Sequence, residues 1–255
     1  LSLHKPTWRT LKVLELIDDN WDKKFNLSDI SEQTSIPKST LSPILSTLVD
    51  LNYLSLKDGK YCISFKLFQL GLSYSGDLSL LSFIKEEMES LVEDIGELSQ
   101  FGILTESNVL YLEKVNSKDS IEVVSAVGKK LPAHVTSLGK AILAEMPVEK
   151  IRKIYPDGKL EKIGPNSITD FDEFLLELER IRKRGYSIEK EEASANVCCV
   201  AVPIEIDGKI KSALSVSYPS FKDCKSKTEV IAQKLLEKKK LIEKIVKIQG
   251  FKLDL

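Results

Sequence analysis

Within the first 50 residues the apolar positions fall into three short helical patterns. Between residues 7 and 20, Trp8, Leu11, Val13, Leu14 and Ile17 are spaced to give a helix one apolar face. A second helix is predicted over residues 28–34, with Asn26 or Ser28 as its cap and Leu27 and Ile30 as its core contacts. After a Thr-Ser-Ile-Pro turn comes a third. Here Leu41, Ile44, Leu45 and Leu48 share one face, and Lys38, Ser39, Ser42 and Ser46 lie mostly on the other. The pattern then shortens. Residues 53–56 and 60–64 read as strands, and Asp58-Gly59 between them is the chemistry of a tight hairpin, because glycine accepts positive φ. Three helices followed by a hairpin make a winged helix-turn-helix.

Residues 65–75 are helical in character, a Ser-Gly-Asp break follows, and an amphipathic helix is predicted over 79–95. The remainder mixes strands and helices. Strands are predicted on either side of a polar turn at 106–108, over 120–127, over 186–192, and over 197–206 and 209–219, the last two joined by Asp207-Gly208. Helices are predicted over 136–144, 148–155, 170–184 with Gly185 as its stop, and 226–248 with a lysine-rich face. Hairpins rather than regular βαβ crossovers point to an α+β fold around an antiparallel sheet. The organisation expected is residues 1–64 as the winged helix-turn-helix, 65–80 as a linker helix and 81–255 as a second domain.

Composition narrows the function. With 42% hydrophobic and 29% charged residues the chain belongs to the globular class, and a net charge of −1 provides no global field toward nucleic acid or an acidic membrane. Residues 1–76 carry nine Lys/Arg against eight Asp/Glu, so any DNA binding must come from a local patch. No apolar run reaches the roughly 20 residues of a membrane span, and no signal peptide is read at the start. Cys62, Cys198, Cys199 and Cys224 form no CxxC pair, and His4 and His134 are the two histidines. Neither a disulfide framework nor a zinc site is expected, and a reducing, cytoplasmic setting is the simpler reading.

Several blocks then carry a resemblance. "TLKVLELI", "LSDISEQTSIPKSTLSPILSTLVDLNYL", "LYLEKVNS", "GKKLPAHVTSLGKAILA", the run from "NSITDFDEF" through "GYSIEKEEASANVCCVAVPI", and "ALSVS" stand in the order and spacing of the IclR-family transcription regulators. The resemblance covers almost the whole chain. It implies a winged-helix DNA-binding domain, a linker helix and a GAF-like effector-binding domain. It further implies a homodimer or homotetramer on a palindromic double-stranded DNA operator, answering to a small-molecule effector such as an organic acid. No cofactor, metal, membrane or catalytic role is expected.

In the first domain, Lys38, Ser39, Thr40 and Ser42 are the residues placed to face the major groove, and Lys57 and Lys60 on the hairpin to meet the phosphate backbone. The plain alternative for these lysines is a solvated surface. Pro43 departs from the family, where a polar, DNA-touching residue is usual. It has no N–H to bond the Ser39 carbonyl, and an interior helical proline costs about 3 kcal/mol relative to alanine. A kink, a delayed start or a loosened first turn is expected, with base-reading contacts altered; a sensor with impaired DNA binding is the alternative reading.

In the second domain, "HVTSLGKAIL" is the main feature. Thr136 or Ser137 can cap a helix whose first N–H groups suit a carboxylate, and Gly139 lets backbone come close. The resemblance places the effector pocket at this helix start. Ser215 and Ser217 share one strand face, as do Cys199 and Ala201 on the neighbouring strand. Glu189 stands where the family usually has aspartate, and it can accept a hydrogen bond from a ligand hydroxyl. Leu138 is bulkier than the small residue usual there, and both it and Glu189 are expected to narrow the pocket. The effector-binding candidates are therefore Thr136, Ser137, Leu138, Gly139, Glu189, Cys199, Ser215 and Ser217. The alternatives are a plainly capped helix, backbone-satisfied serines and a buried small cysteine. An enzyme using Cys199 as nucleophile and His134 as base is the remaining reading, without a nucleophile elbow, metal set or phosphate loop to support it.

Overall fold

A computed structural model of the chain describes residues 3–20, 23–72, 78–118 and 123–252. The chain divides into two compact units, residues 1–75 and 76–255.

The first unit is built from α1 (Lys5–Asp19), α2 (Leu27–Thr34), α3 (Lys38–Asp50), a hairpin of β1 (Leu54–Lys57) and β2 (Lys60–Ile63), and α4 (Phe65–Leu72). Asn26 begins α2 with a full capping box: its side chain accepts from Ser28 and Asp29 N–H, and the Asp29 carboxylate accepts from the Asn26 N–H. Val13, Ile17, Phe25, Ile30, Ile36, Leu41, Leu45, Leu48 and Leu54 close a single core. The turn between β1 and β2 has φ of 51° at Asp58 and 73° at Gly59, both left-handed. That conformation follows the natural twist of a two-residue hairpin.

Pro43 sits inside α3, which nevertheless runs unbroken from Lys38. The expected delayed start is not seen. The Pro37 carbonyl accepts from both Thr40 N–H at 2.9 Å and Leu41 N–H at 3.0 Å, so the first turn is closed without help from residue 43. The Thr47 hydroxyl bonds the Pro43 carbonyl at 2.8 Å, and Pro43 itself is exposed.

The second unit is a sheet between two helical layers. Its strands are β3 (Leu98–Thr105), β4 (Asn108–Val115), β5 (Lys130–Pro132), β6 (Ser187–Lys190), β7 (Val197–Ile206) and β8 (Lys209–Pro219). They lie in the order β5-β4-β3-β8-β7-β6, and every pairing between neighbours is antiparallel. Against one face pack α5 (Leu78–Ile95) and the long α9 (Lys225–Gln249), where Leu80, Ile84, Met88, Ile231, Leu235 and Ile242 meet Phe101, Val200, Val202, Leu214 and Val216. Against the other pack α6 (Ser137–Ala144), α7 (Val148–Ile154) and α8 (Phe171–Arg184). There Leu138, Ile142, Phe174 and Leu178 meet Val109, Tyr111, Ala201 and Ala213. The two-residue period of β7 puts Cys198 in the first core and turns Cys199 to the opposite side.

One predicted element is not there. Residues 123–127 form no strand, and 120–122 lie outside the described residues. Val124 and Val127 are exposed, and the segment is tied down through Ser125, whose carbonyl accepts from Lys114 Nζ at 3.1 Å and whose hydroxyl meets the Gln100 amide. The edge position beside β4 is taken instead by the short β5.

Candidate functional site

Two surfaces carry chemistry, one in each unit. On α3 the apolar stripe Leu41, Leu45 and Leu48 is buried, which forces Lys38, Ser39, Ser42 and Ser46 to the outside, with Thr40 half-buried between them. Pro43 shares that outer face. On the hairpin Lys57 and Lys60 are both exposed and stand directly opposite each other in the register. Like charges opposed across a strand pair repel. A phosphate between or beside them removes that penalty. The structure thus leaves every nucleic-acid candidate, Lys38, Ser39, Thr40, Ser42, Lys57 and Lys60, at least partly open to solvent.

In the second unit the start of α6 faces the sheet. Thr136 is the N-cap, its hydroxyl accepting from Gly139 N–H at 3.1 Å. The Lys140 N–H bonds the Thr136 carbonyl at 3.0 Å. The amides of Ser137 and Leu138, one and two residues into the helix, have no acceptor within a helix by construction. Gly139 lets backbone come close, and the backbone it admits is that of Ala133. A side chain there would lie 2.2 Å from the Ala133 carbonyl oxygen, so glycine lets the short 3-10 turn at Ala133–Val135 fold onto the helix.

Opposite this helix start, side chains from four strands join hands. Glu189 on β6 pairs with Cys199 on β7, and Cys199 with Ser217 on β8. The Cys199 sulfur lies 3.1 Å from the Ser217 hydroxyl, which donates to Gln100 Oε1 on β3 at 3.3 Å. The Gln100 amide reaches Ser125. Glu189 Oε1 accepts from the N–H groups of Glu192 and Ala193, which curl the loop after β6 over the carboxylate. That loop is held from behind at Gly164. A side chain there would lie 2.5 Å from the Glu191 carbonyl oxygen, and the Gly164 N–H donates to the Glu192 carbonyl at 2.9 Å.

Between helix start and polar row lies a partly open cavity of about 360 Å³. Its wall includes Thr136, Ser137, Glu189, Cys199 and Ser217 of the sequence candidates. Leu138, Gly139 and Ser215 do not reach it. Leu138 turns into the core under α6, so it does not narrow the cavity. The Ser215 hydroxyl is 3.4 Å from the Gln100 carbonyl. Gln100, Tyr111 and Ser125 line the wall and were not among the candidates. A glutamine inside the otherwise apolar strand pattern of "LSQFGIL" was the available signal, since buried polar side chains need partners.

Burial dominates the electrostatics. It pushes the Glu189 carboxyl up to about 7, although the Cys199 thiol, backbone amides and Lys140 pull the other way. Burial also drives the Tyr111 hydroxyl and the Cys199 thiol well above their ordinary values, with Glu189 adding to both. Lys140 is 1% exposed, donates to the Ile188 carbonyl at 2.9 Å and pairs with Glu192. His134 is elsewhere: its Nε2 bonds the Glu161 carbonyl at 2.8 Å, and its ring meets Tyr155 and Phe174 edge-on. Among the described residues, no group of three or more His, Cys, Asp or Glu is placed to hold a metal, and no helix is long and apolar enough to cross a membrane.

The family model for the bacterial transcriptional regulator IclR C-terminal region matches residues 73–243, and the IclR helix-turn-helix domain matches residues 8–57. The HTH-type transcriptional regulator KdgR of Escherichia coli K12 is 26% identical over 204 residues, 79% of this chain and 78% of that protein. XynR of the same strain is 27% identical over 212 residues, covering 82% and 84%. Among solved structures, an IclR homologue of Microbacterium hydrocarbonoxydans complexed with 4-hydroxybenzoate superposes with a TM-score of 0.80 at 25% identity, covering 94% of this chain and 99% of that one. The IclR of Thermotoga maritima gives 0.71 at 26% identity, covering 95% and 99%.

Proposed function

Since the chain belongs to the IclR family of bacterial transcriptional regulators, we propose that it is a ligand-responsive DNA-binding regulator whose effector is a small carboxylate. The observation that carries this reading is the cavity: helix-start amides on one side and a hydrogen-bonded polar row on the other. The Ser137 amide on the cavity wall suits a carboxylate, because the helix start offers unpaired donors and partial positive charge. The row Glu189–Cys199–Ser217–Gln100 suits a hydroxyl or carbonyl at the far end. That a relative at 25% identity is complexed with 4-hydroxybenzoate supports the same class of ligand. In the first unit, α3 enters the major groove with Lys38, Ser39, Thr40 and Ser42, and Lys57 and Lys60 hold phosphates. Operators for such a reader are palindromic, and the protein acts as a homodimer or homotetramer.

The ligand works by preferring one arrangement of the regulator over another, and its effect is limited to that difference in affinity. The experiment is a gel-shift series on the DNA upstream of the chain's own gene, with and without a panel of small carboxylates. Retention of the band and its reversal by one carboxylate support the reading, whereas failure to select any operator from genomic DNA defeats it. A second reading, a sensor with weakened DNA binding, rests on Pro43, which puts an apolar ring among the polar groups of the reading face. It wins if Pro43→Arg binds and the wild type does not. An enzymatic role for Cys199 and His134 is not supported: the thiol is held protonated by burial, and the histidine is bonded to the Glu161 carbonyl.

A further inference from the structure

Glu189 is 1% exposed, and none of the described residues lining its cavity is basic. The charged and titratable groups that face it are Cys199 from β7, Tyr111 from β4, Lys140 from α6 and Glu192 from the loop after β6. The cation in that set is already engaged. Lys140 donates to the Ile188 carbonyl and pairs with Glu192, so it brings no surplus positive charge to the chamber. Glu189 itself is held by two backbone amides on one oxygen. A carboxylate seated at the start of α6 therefore adds a second negative charge to a small chamber that, among the described residues, holds one carboxylate and no free cation. Two like charges in one buried site do not both remain ionised.

We propose that binding of a monocarboxylate effector is coupled to uptake of one proton from solvent by Glu189, which stands as a neutral acid in the complex. This inference rests on the cavity being the effector site. The proton adds to a Glu189 carboxylate oxygen, no other bond changes, and the complex keeps the charge the chamber had before. Burial has already brought the free carboxyl close to neutrality as a titration point, so the ligand needs to shift it only modestly. A consequence for ligand class follows. A dianion needs a second proton and binds worse, and an amine-bearing zwitterion needs none, because its ammonium can meet the Glu189 carboxylate directly.

Benzoate and acetate are suitable probes, since each carries a single group, ionised throughout pH 6–9. Calorimetry in two buffers of different ionisation enthalpy counts the protons. At pH 8 the wild type takes up about one proton per ligand, and its Kd rises about tenfold per pH unit above the Glu189 titration point. Glu189→Gln, neutral at every pH, binds with no proton uptake and a flat pH profile. In the wild type, a protonated-carboxyl infrared band appears when benzoate is added at pH 8, a readout that needs no variant. Proton-free binding by the wild type, or the same uptake in Glu189→Gln, overturns the inference and leaves the pocket standing. No binding of either probe at pH 6 overturns the pocket reading and this inference with it.

Discussion

At the scale of single residues, what decides the chamber is how polar groups behave when water is withdrawn. Glu189 has a folded-state titration point near 7, above the ordinary 4.5 of the unfolded chain. The native state thus binds the proton more tightly. Its contribution to stability is complete below about pH 4.5 and is lost as the pH rises through 7. Glu189→Gln escapes that loss. The expected result is unchanged stability at pH 4.5 and a variant stabler than wild type at pH 8 by up to about 3 kcal/mol, read by denaturant titration at both pH values. Gly139→Ala goes the other way at any pH, because the added methyl meets the Ala133 backbone. A loss of about 1–3 kcal/mol or more is expected in the same titration. Thr136 was legible from sequence because capping is local chemistry. Gln100 was not, because its partners Ser217 and Ser125 are distant in sequence and meet it only once the strands pair.

Among the elements, the two Asp-Gly hairpins were readable to within a residue or so because two left-handed positions in a row admit few sequences; Asp207 and Gly208 repeat the Asp58 and Gly59 geometry. The amphipathic helices were readable for a similar reason, since α8 starts at its Asp170 cap and ends at Gly185. The described part of the strand expected over 120–127, residues 123–127, is not a strand because β-branched residues report only a preference, and the hydrogen bonds beside β4 went to residues 130–132. Pro43 shows an element absorbing a defect. The residues after it keep their helical pattern, and the first turn is closed by Pro37, so the cost is confined to one missing bond from the Ser39 carbonyl. Pro43→Ala restores that bond. It should stabilise the first unit by up to about 3 kcal/mol, seen as a rise in the midpoint of its thermal transition. A midpoint that falls would mean the proline is favoured by something other than the helix.

For the whole molecule, a chain with a net charge of −1 can bind DNA only through locally clustered cations. Lys57 and Lys60 should each hold one phosphate. Replacing either by alanine is expected to weaken operator and random DNA alike and to lower the slope of log K against log salt by about 1, measured by fluorescence anisotropy across a salt series. An unchanged slope would return those lysines to ordinary surface. The order of the strands also sets a timetable. Residues 1–75 form a unit of their own, complete once that stretch has left the ribosome, whereas β3 waits for β8, its partner more than a hundred residues downstream. Because Gln100 and Ser217 meet across that late seam, a chain stopped short of β8 carries a finished reader and no chamber at all. A premature stop anywhere in that interval is therefore expected to leave the helix-turn-helix unit without the cavity on which the proposed response to a metabolite depends.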